Sequence, residues 1–141
     1  MVTSNTLADL TDQAPHTPEQ RHKAQLAYDL VVKVFVRPAE FDSAPFGDVY
    51  VQHNPSIPDG KEGLRSWAQA MVDAAPDAHL EIKRILVDGD YVAVHSHVIR
   101  APGDSGMALV DMFRIKDDVV VEHWDLMQEV PTESANANTM F

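Results

Sequence analysis

The sequence predicts an α+β fold in which helices cover one face of a curved antiparallel sheet. Three observations carry this reading. Apolar residues recur at helical spacing through the first half of the chain. The period changes to two after Pro76. Turn-forming residues then divide the remainder into four strand-like runs.

The elements follow in order. Residues 1–16 are polar and aperiodic and read as a flexible leader. Thr17-Pro18-Glu19-Gln20 is a capping box with proline at the first helical position. Ala24, Ala27, Leu30, Val31, Val34 and Phe35 then line one helix face, and Pro38 stops the helix near Arg37. Residues 39–48 read as a short second helix or a loop. Val49–Asn54 is a short strand closed by Pro55. Asp59 caps an amphipathic helix with Leu64, Trp67, Ala68, Met71 and Val72 on its apolar face, ended by Pro76.

Four strands are expected next: 79–87, 91–100, 107–116 and 119–130. Asp88-Gly89, the loop 101–106 and Lys116-Asp117-Asp118 connect them as hairpins. The strand 91–100 is apolar on both faces, with Val92, Val94 and Val98 on one and Tyr91, Ala93 and Ile99 on the other. One face would cover helices and a pocket, and the other would meet a second copy of the chain in a homodimer. Residues 17–131 form the expected domain, and 132–141 (TESANANTMF) a flexible tail.

Composition narrows the functions. With 22 acidic and 11 basic side chains the net charge is -11, which repels phosphate backbones and anionic lipid. Neither nucleic acid nor membrane is an expected partner; a small molecule is. No apolar run approaches the ~20 residues that span a bilayer, and the N-terminus lacks the pattern of a signal peptide. There is no cysteine, hence no disulfide, thiolate metal site or thiol nucleophile. The expectation is a cytoplasmic protein.

Ionisable residues stand in strands that are otherwise apolar: His95 and His97, Asp111, then His123 and Asp125 within VEHWD. Burying such groups unpaired costs several kcal/mol, so they should pair or line a wet cavity. A two-residue loop in the last hairpin would set Asp111 against Trp124. A three-residue loop with Asp118 in a bulge would set it against His123, and this second register is preferred because it gathers Asp111, His123 and Asp125 on one face. A carboxylate and an imidazole in an apolar pocket can perform acid–base catalysis without a cofactor. Asp125 is the candidate proton shuttle, with His123 and Asp111 orienting or tuning it. His53, His95 and His97 are candidates for binding substrate oxygen, and Trp67, Phe113 and Trp124 for pocket walls.

Structural readings stand beside these. Asp111 could pair with Arg114 or Arg100, and the two histidines of strand 91–100 could face solvent or a dimer partner. His95-Ser96-His97 has the spacing of a strand metal site, but Arg100, Ala101 and Pro102 stand where a glutamate ligand would follow. No metal or organic cofactor is therefore expected, although His53, His95, His97 and His123 could converge from different strands, which leaves a His-rich metal-dependent enzyme as a further alternative. Phosphate loops, dinucleotide fingerprints and GxSxG or HExxH motifs are absent from the sequence.

YVQHNPSIPDGKEGL (50–64), DGDYVAVHSHV (88–98) and VDMFRIKDDVVVEHWDLMQEVP (110–131) together resemble SnoaL-like proteins of the nuclear transport factor 2-like superfamily. The resemblance covers most of residues 18–131. It implies a cone-shaped, cystatin-like half-barrel enclosing a deep pocket, and dimers formed through the sheet. It also implies an aspartate on the last strand as the acid–base residue of an aldol-type cyclase or isomerase. Asp125 occupies that position here, and Asp111 matches a polar pocket residue of the preceding strand. Non-catalytic binding modules share the same fold, so the resemblance implies a pocket before it implies a reaction.

Overall fold

The computed structural model describes residues 1–3 and 5–141. Thr17 caps helix α1 (Pro18–Val31) through the box seen in the sequence: its hydroxyl accepts from Gln20 N–H, and Gln20 Oε1 accepts from Thr17 N–H. The helix widens into a π-turn over Val32–Val36 and gives way at Pro38 to a short 3₁₀ segment, Pro38–Ser43. Strand β2 (Phe46–Gln52) starts three residues before the stretch expected. Asp59 caps α2 (Gly60–Ala74). The strands β3 (His79–Asp88), β4 (Tyr91–Ile99), β5 (Met107–Lys116) and β6 (Val119–Glu129) form the antiparallel meander.

The leader departs from its expected looseness. Val2–Thr3 forms a strand, β1, parallel to the start of β3, and Asn5 exchanges hydrogen bonds with the Ile82 backbone. This leader segment satisfies part of the backbone at an otherwise open sheet edge. Ser4 lies outside the described residues. The sheet has six strands in the order β1-β3-β4-β5-β6-β2, and β2 joins β6 in parallel. At the other end of the chain, residues 130–141 form no regular element, yet the Phe141 ring stacks on His97 with centroids 4.2 Å apart.

Lateral pairing decides which side chains share a face. Val87, Val92, Phe113, His123 and Gln52 form one row across five strands, and Ile85, Val94, Asp111 and Asp125 form the next. Both rows point into the concave side, against α1 and α2. There Ala24, Ala27, Leu30 and Val34 of the first helix meet Ile82, Ile85, Val92 and Val94 in the core. The convex side carries the alternate rows, Leu86–Ala93–Met112–Trp124 and Arg84–His95–Val110–Leu126. The α+β half-barrel expected from the sequence is thus the fold observed.

Candidate active site

Three ionisable side chains converge on the concave side because of one irregularity. The last hairpin closes with two residues, Asp117 and Asp118, both left-handed at φ 51° and 61°. The expected three-residue loop is not formed. Such a turn alone would place Asp111 opposite Trp124, with the aspartate facing away from His123. Val121, however, has no partner: Ile115 pairs with Val120 and Arg114 with Glu122. This bulge advances the register by one residue and sets Asp111 opposite Asp125. The expected sharing of a face by Asp111, His123 and Asp125 is therefore reached through a bulge in the strand.

The three groups line a cavity of about 390 Å³ with walls from Leu30, Phe35, Trp67, Met71, Leu109 and Phe113. That volume lies in the range of small-molecule sites. Phe35 meets Trp67 edge-on at 6.2 Å, and Phe113 stacks on His123 at 5.0 Å. Buried on 96% of its surface, His123 lies with Nε2 3.0 Å from Asp111 Oδ1 and Nδ1 2.9 Å from Gln52 Oε1. Asn54 Nδ2 donates to both oxygens of Asp125 at 2.8 Å, while Asn54 Oδ1 accepts from Ser56 N–H. Gln52 and Asn54 follow from strand parity and the turn at Pro55. The expectation stopped at the neighbouring His53, although the polar residues of QHNP were the available signal.

Tyr50 also lines the cavity, and its hydroxyl is closed off from solvent without a hydrogen-bond partner. Gln52 Nε2 makes no bond of full geometry either, although the Gln52 side chain lies near enough to the hydroxyl to work against the rise in its pKa. Burial, with Asp111 and Asp125 nearby, pushes the phenol far above its ordinary pKa of 10.0, so it stays protonated. Ser96 Oγ is a further buried, unpartnered hydroxyl on the cavity wall.

Other candidates lie elsewhere. His53 sits outside the cavity, stacked on Trp124 at 4.8 Å and 2.8 Å from Glu122 Oε1. That bond, with Arg114 on the other carboxylate oxygen, holds Glu122 below its usual range. Trp124 is therefore not a pocket wall, because it belongs to the convex row of Met112. His95 and His97 are corrected in the same way, since Ser96 between them takes the concave face. His95 Nδ1 meets Arg84 at 2.6 Å, and burial followed by the Arg84 charge lowers its pKa. His97 Nε2 lies 2.8 Å from Ser105 O. Neither reading of Asp111 as an arginine partner holds: Arg114 pairs with Glu122, and Arg100 with Asp104 and Glu129.

Asp111, His123 and Asp125 offer ligand atoms within 4.8 Å of one another. As they stand, His123 Nε2 and both Asp125 oxygens are engaged by protein partners, so a cation would have to displace those bonds. The set is arranged as a hydrogen-bonded network.

Fold and site together define a pocket protein of the half-barrel type. The sequence pattern of the family described as the SnoaL-like domain matches residues 38–123, and the chain belongs to that family. Solved structures agree on the fold. A "putative polyketide cyclase" from Bacillus cereus is 22% identical, with a TM-score of 0.67, over 84% of this chain and 90% of that one. A "putative ketosteroid isomerase" from Kribbella flavida is 19% identical, with a TM-score of 0.66, over 84% of this chain and 86% of that one. An uncharacterised cystatin-fold protein from Novosphingobium aromaticivorans is 22% identical, with a TM-score of 0.62, over 74% of this chain and 97% of that one. A search of curated proteins found no match.

Proposed function

We propose that the protein is a cofactor-independent acid–base enzyme that works on a carbonyl compound, as an aldol-type cyclase or an isomerase. The observation that carries this is the convergence of Asp111, His123 and Asp125 on one apolar cavity. Asp125 takes a proton from the carbon α to the carbonyl. The His123–Asp111 pair donates to the carbonyl oxygen as it becomes an enol. The enol then attacks a second carbonyl, whose oxygen takes the proton held by Asp125, or takes that proton back at a different carbon; in either case the enol oxygen returns its own proton to the His123–Asp111 pair as the carbonyl re-forms. Membership of the SnoaL-like family and the likeness to proteins named as cyclases and isomerases support the reading.

The test uses an apolar bicyclic ketone, 2-tetralone, in deuterated water, with exchange of its α-protons followed by NMR. Asp125→Asn should lower the protein-catalysed rate by about 10²–10⁴-fold. Equal rates in variant and native protein would remove Asp125 from the chemistry. A thermal shift with the ketone and no exchange in the native protein would favour the alternative of a binding module.

The convex face is the expected contact with a second copy. Leu86, Tyr91, Met112 and Leu126 are exposed there, Leu126 at 71%. An apolar area of this kind fits a partner better than solvent. Sedimentation should give a dimer that Leu126→Glu disrupts; a native monomer at micromolar concentration would end this part of the proposal. The work is placed in the cytoplasm, which cell fractionation would check.

A further inference from the structure

We propose that Gln52 is a positioning residue that fixes which ring nitrogen of His123 carries hydrogen, and so stores the acid's proton between His123 and Asp111. Asn54 N–H donates to Gln52 Oε1 at 2.9 Å. A side-chain nitrogen in that place would set donor against donor, so the amide has one orientation. The same oxygen lies 2.9 Å from His123 Nδ1, which therefore carries a hydrogen and donates.

The consequence falls on the other side of the ring. His123 Nε2 and Asp111 Oδ1 are 3.0 Å apart, with their side chains 6% and 14% exposed. A neutral imidazole protonated at Nδ1 has only a lone pair at Nε2, and an ionised carboxylate has only lone pairs. Such a contact would repel, and both side chains are largely withdrawn from solvent. One further proton therefore lies in the contact, on Nε2 or on the carboxyl. Asp125 is different. Ser56 N–H on Asn54 Oδ1 turns the Asn54 amino group toward Asp125, which accepts on both oxygens. Asp125 is thus the carboxylate, and the His123–Asp111 pair is the proton donor. Two other charged groups stand near this network: Arg100 lines the same cavity but is paired with Asp104 and Glu129, and Asp59 accepts from Gln52 N–H at 2.9 Å; the Glu122, Arg114 and His53 cluster faces the opposite side of the sheet.

This inference rests on the acid–base reading for its consequence in catalysis, yet its test does not need the natural substrate. The full chain is labelled with ¹⁵N at both histidine ring nitrogens and read by long-range ¹H–¹⁵N correlation near neutral pH. His123 is assigned among the seven histidines by its loss in His123→Asn. Native protein should show Nδ1 protonated. Gln52→Leu should release it to the form with hydrogen on Nε2 and none on Nδ1. Gln52→Glu keeps an oxygen acceptor and should keep the Nδ1 hydrogen. Exchange of 2-tetralone by Gln52→Leu should fall about 10–100-fold in kcat with KM little changed. A bare Nδ1 in the native protein, or an unchanged ring state in Gln52→Leu, overturns the assignment. Should Gln52→Leu not fold, the native spectrum and Gln52→Glu still decide. If Asp125→Asn exchanges normally while Nδ1 stays protonated, the enzymatic reading fails and the role of Gln52 stands.

Discussion

Tyr50→Phe should make this protein more stable. The hydroxyl of Tyr50 sits on a side chain that is 4% exposed, in a cavity wall, with no hydrogen-bond partner. Leaving a buried donor unpaired costs about 1–3 kcal/mol, and phenylalanine removes the donor while keeping the ring. That ring stays held by Phe46, edge-on at 5.0 Å, and by the parallel His123 at 6.4 Å. For 141 residues, an unfolding entropy of about 2.1 cal/mol/K per residue gives about 0.3 kcal/mol/K in total, so 1 kcal/mol moves Tm by about 3 °C. The expected gain is therefore roughly 3–9 °C by calorimetry, matched by a higher urea midpoint at unchanged slope. Alkaline pH supplies a second readout. The Tyr50 pKa is raised on folding by burial, so above pH 10.0 the unfolded chain loses a proton that the folded chain keeps. Stability contributed by the protonated phenol is full below that pH. It is then lost at about 1.4 kcal/mol per pH unit as pH rises toward the folded value. Tyr50→Phe removes that slope. A loss of 1 kcal/mol or more in the variant would contradict this, because it would mean that Gln52 or a buried water already satisfies the hydroxyl.

Two further substitutions probe the frame of the site. Asn54→Leu removes both hydrogen bonds to Asp125 and should cost about 1.5–3 kcal/mol in urea denaturation, together with most of the α-proton exchange. Unaltered stability and exchange would show that Asn54 holds nothing. Gly63→Ala should lower Tm clearly, by an overpacking cost of about 1–3 kcal/mol or more, because its Cβ would stand 2.1 Å from Pro58 O in the tight entry to α2. Trp67 of that helix would shift with it, so affinity for an apolar ketone should fall in the same variant; a Tm equal to the native one would contradict the close approach.

The hidden part of this site is a matter of register. Alternation in β4 shows that Val92 and Val94 share a face opposite His95, but not which face is concave. Burial of Ser96 settles it and turns both histidines outward. His53 was the visible residue of QHNP, yet its neighbours Gln52 and Asn54 carry the bonds to His123 and Asp125. Those bonds join residues 71 apart in sequence, beyond the reach of any local pattern.

From the sequence alone came the two main helices, the four-strand meander and their order, because capping, period and turn chemistry act within a few residues and all agree; the half-barrel shape was implied by the family resemblance. The sequence also singled out Asp111, His123 and Asp125 as ionisable residues in apolar strands. That they meet depends on long-range strand pairing. A two-residue turn by itself would have turned Asp111 away, and the unpaired Val121 turned it back. The physical reason is the two-residue period of a strand: one extra residue reverses every side chain beyond it, and whether that residue is accommodated depends on the packing of the whole sheet.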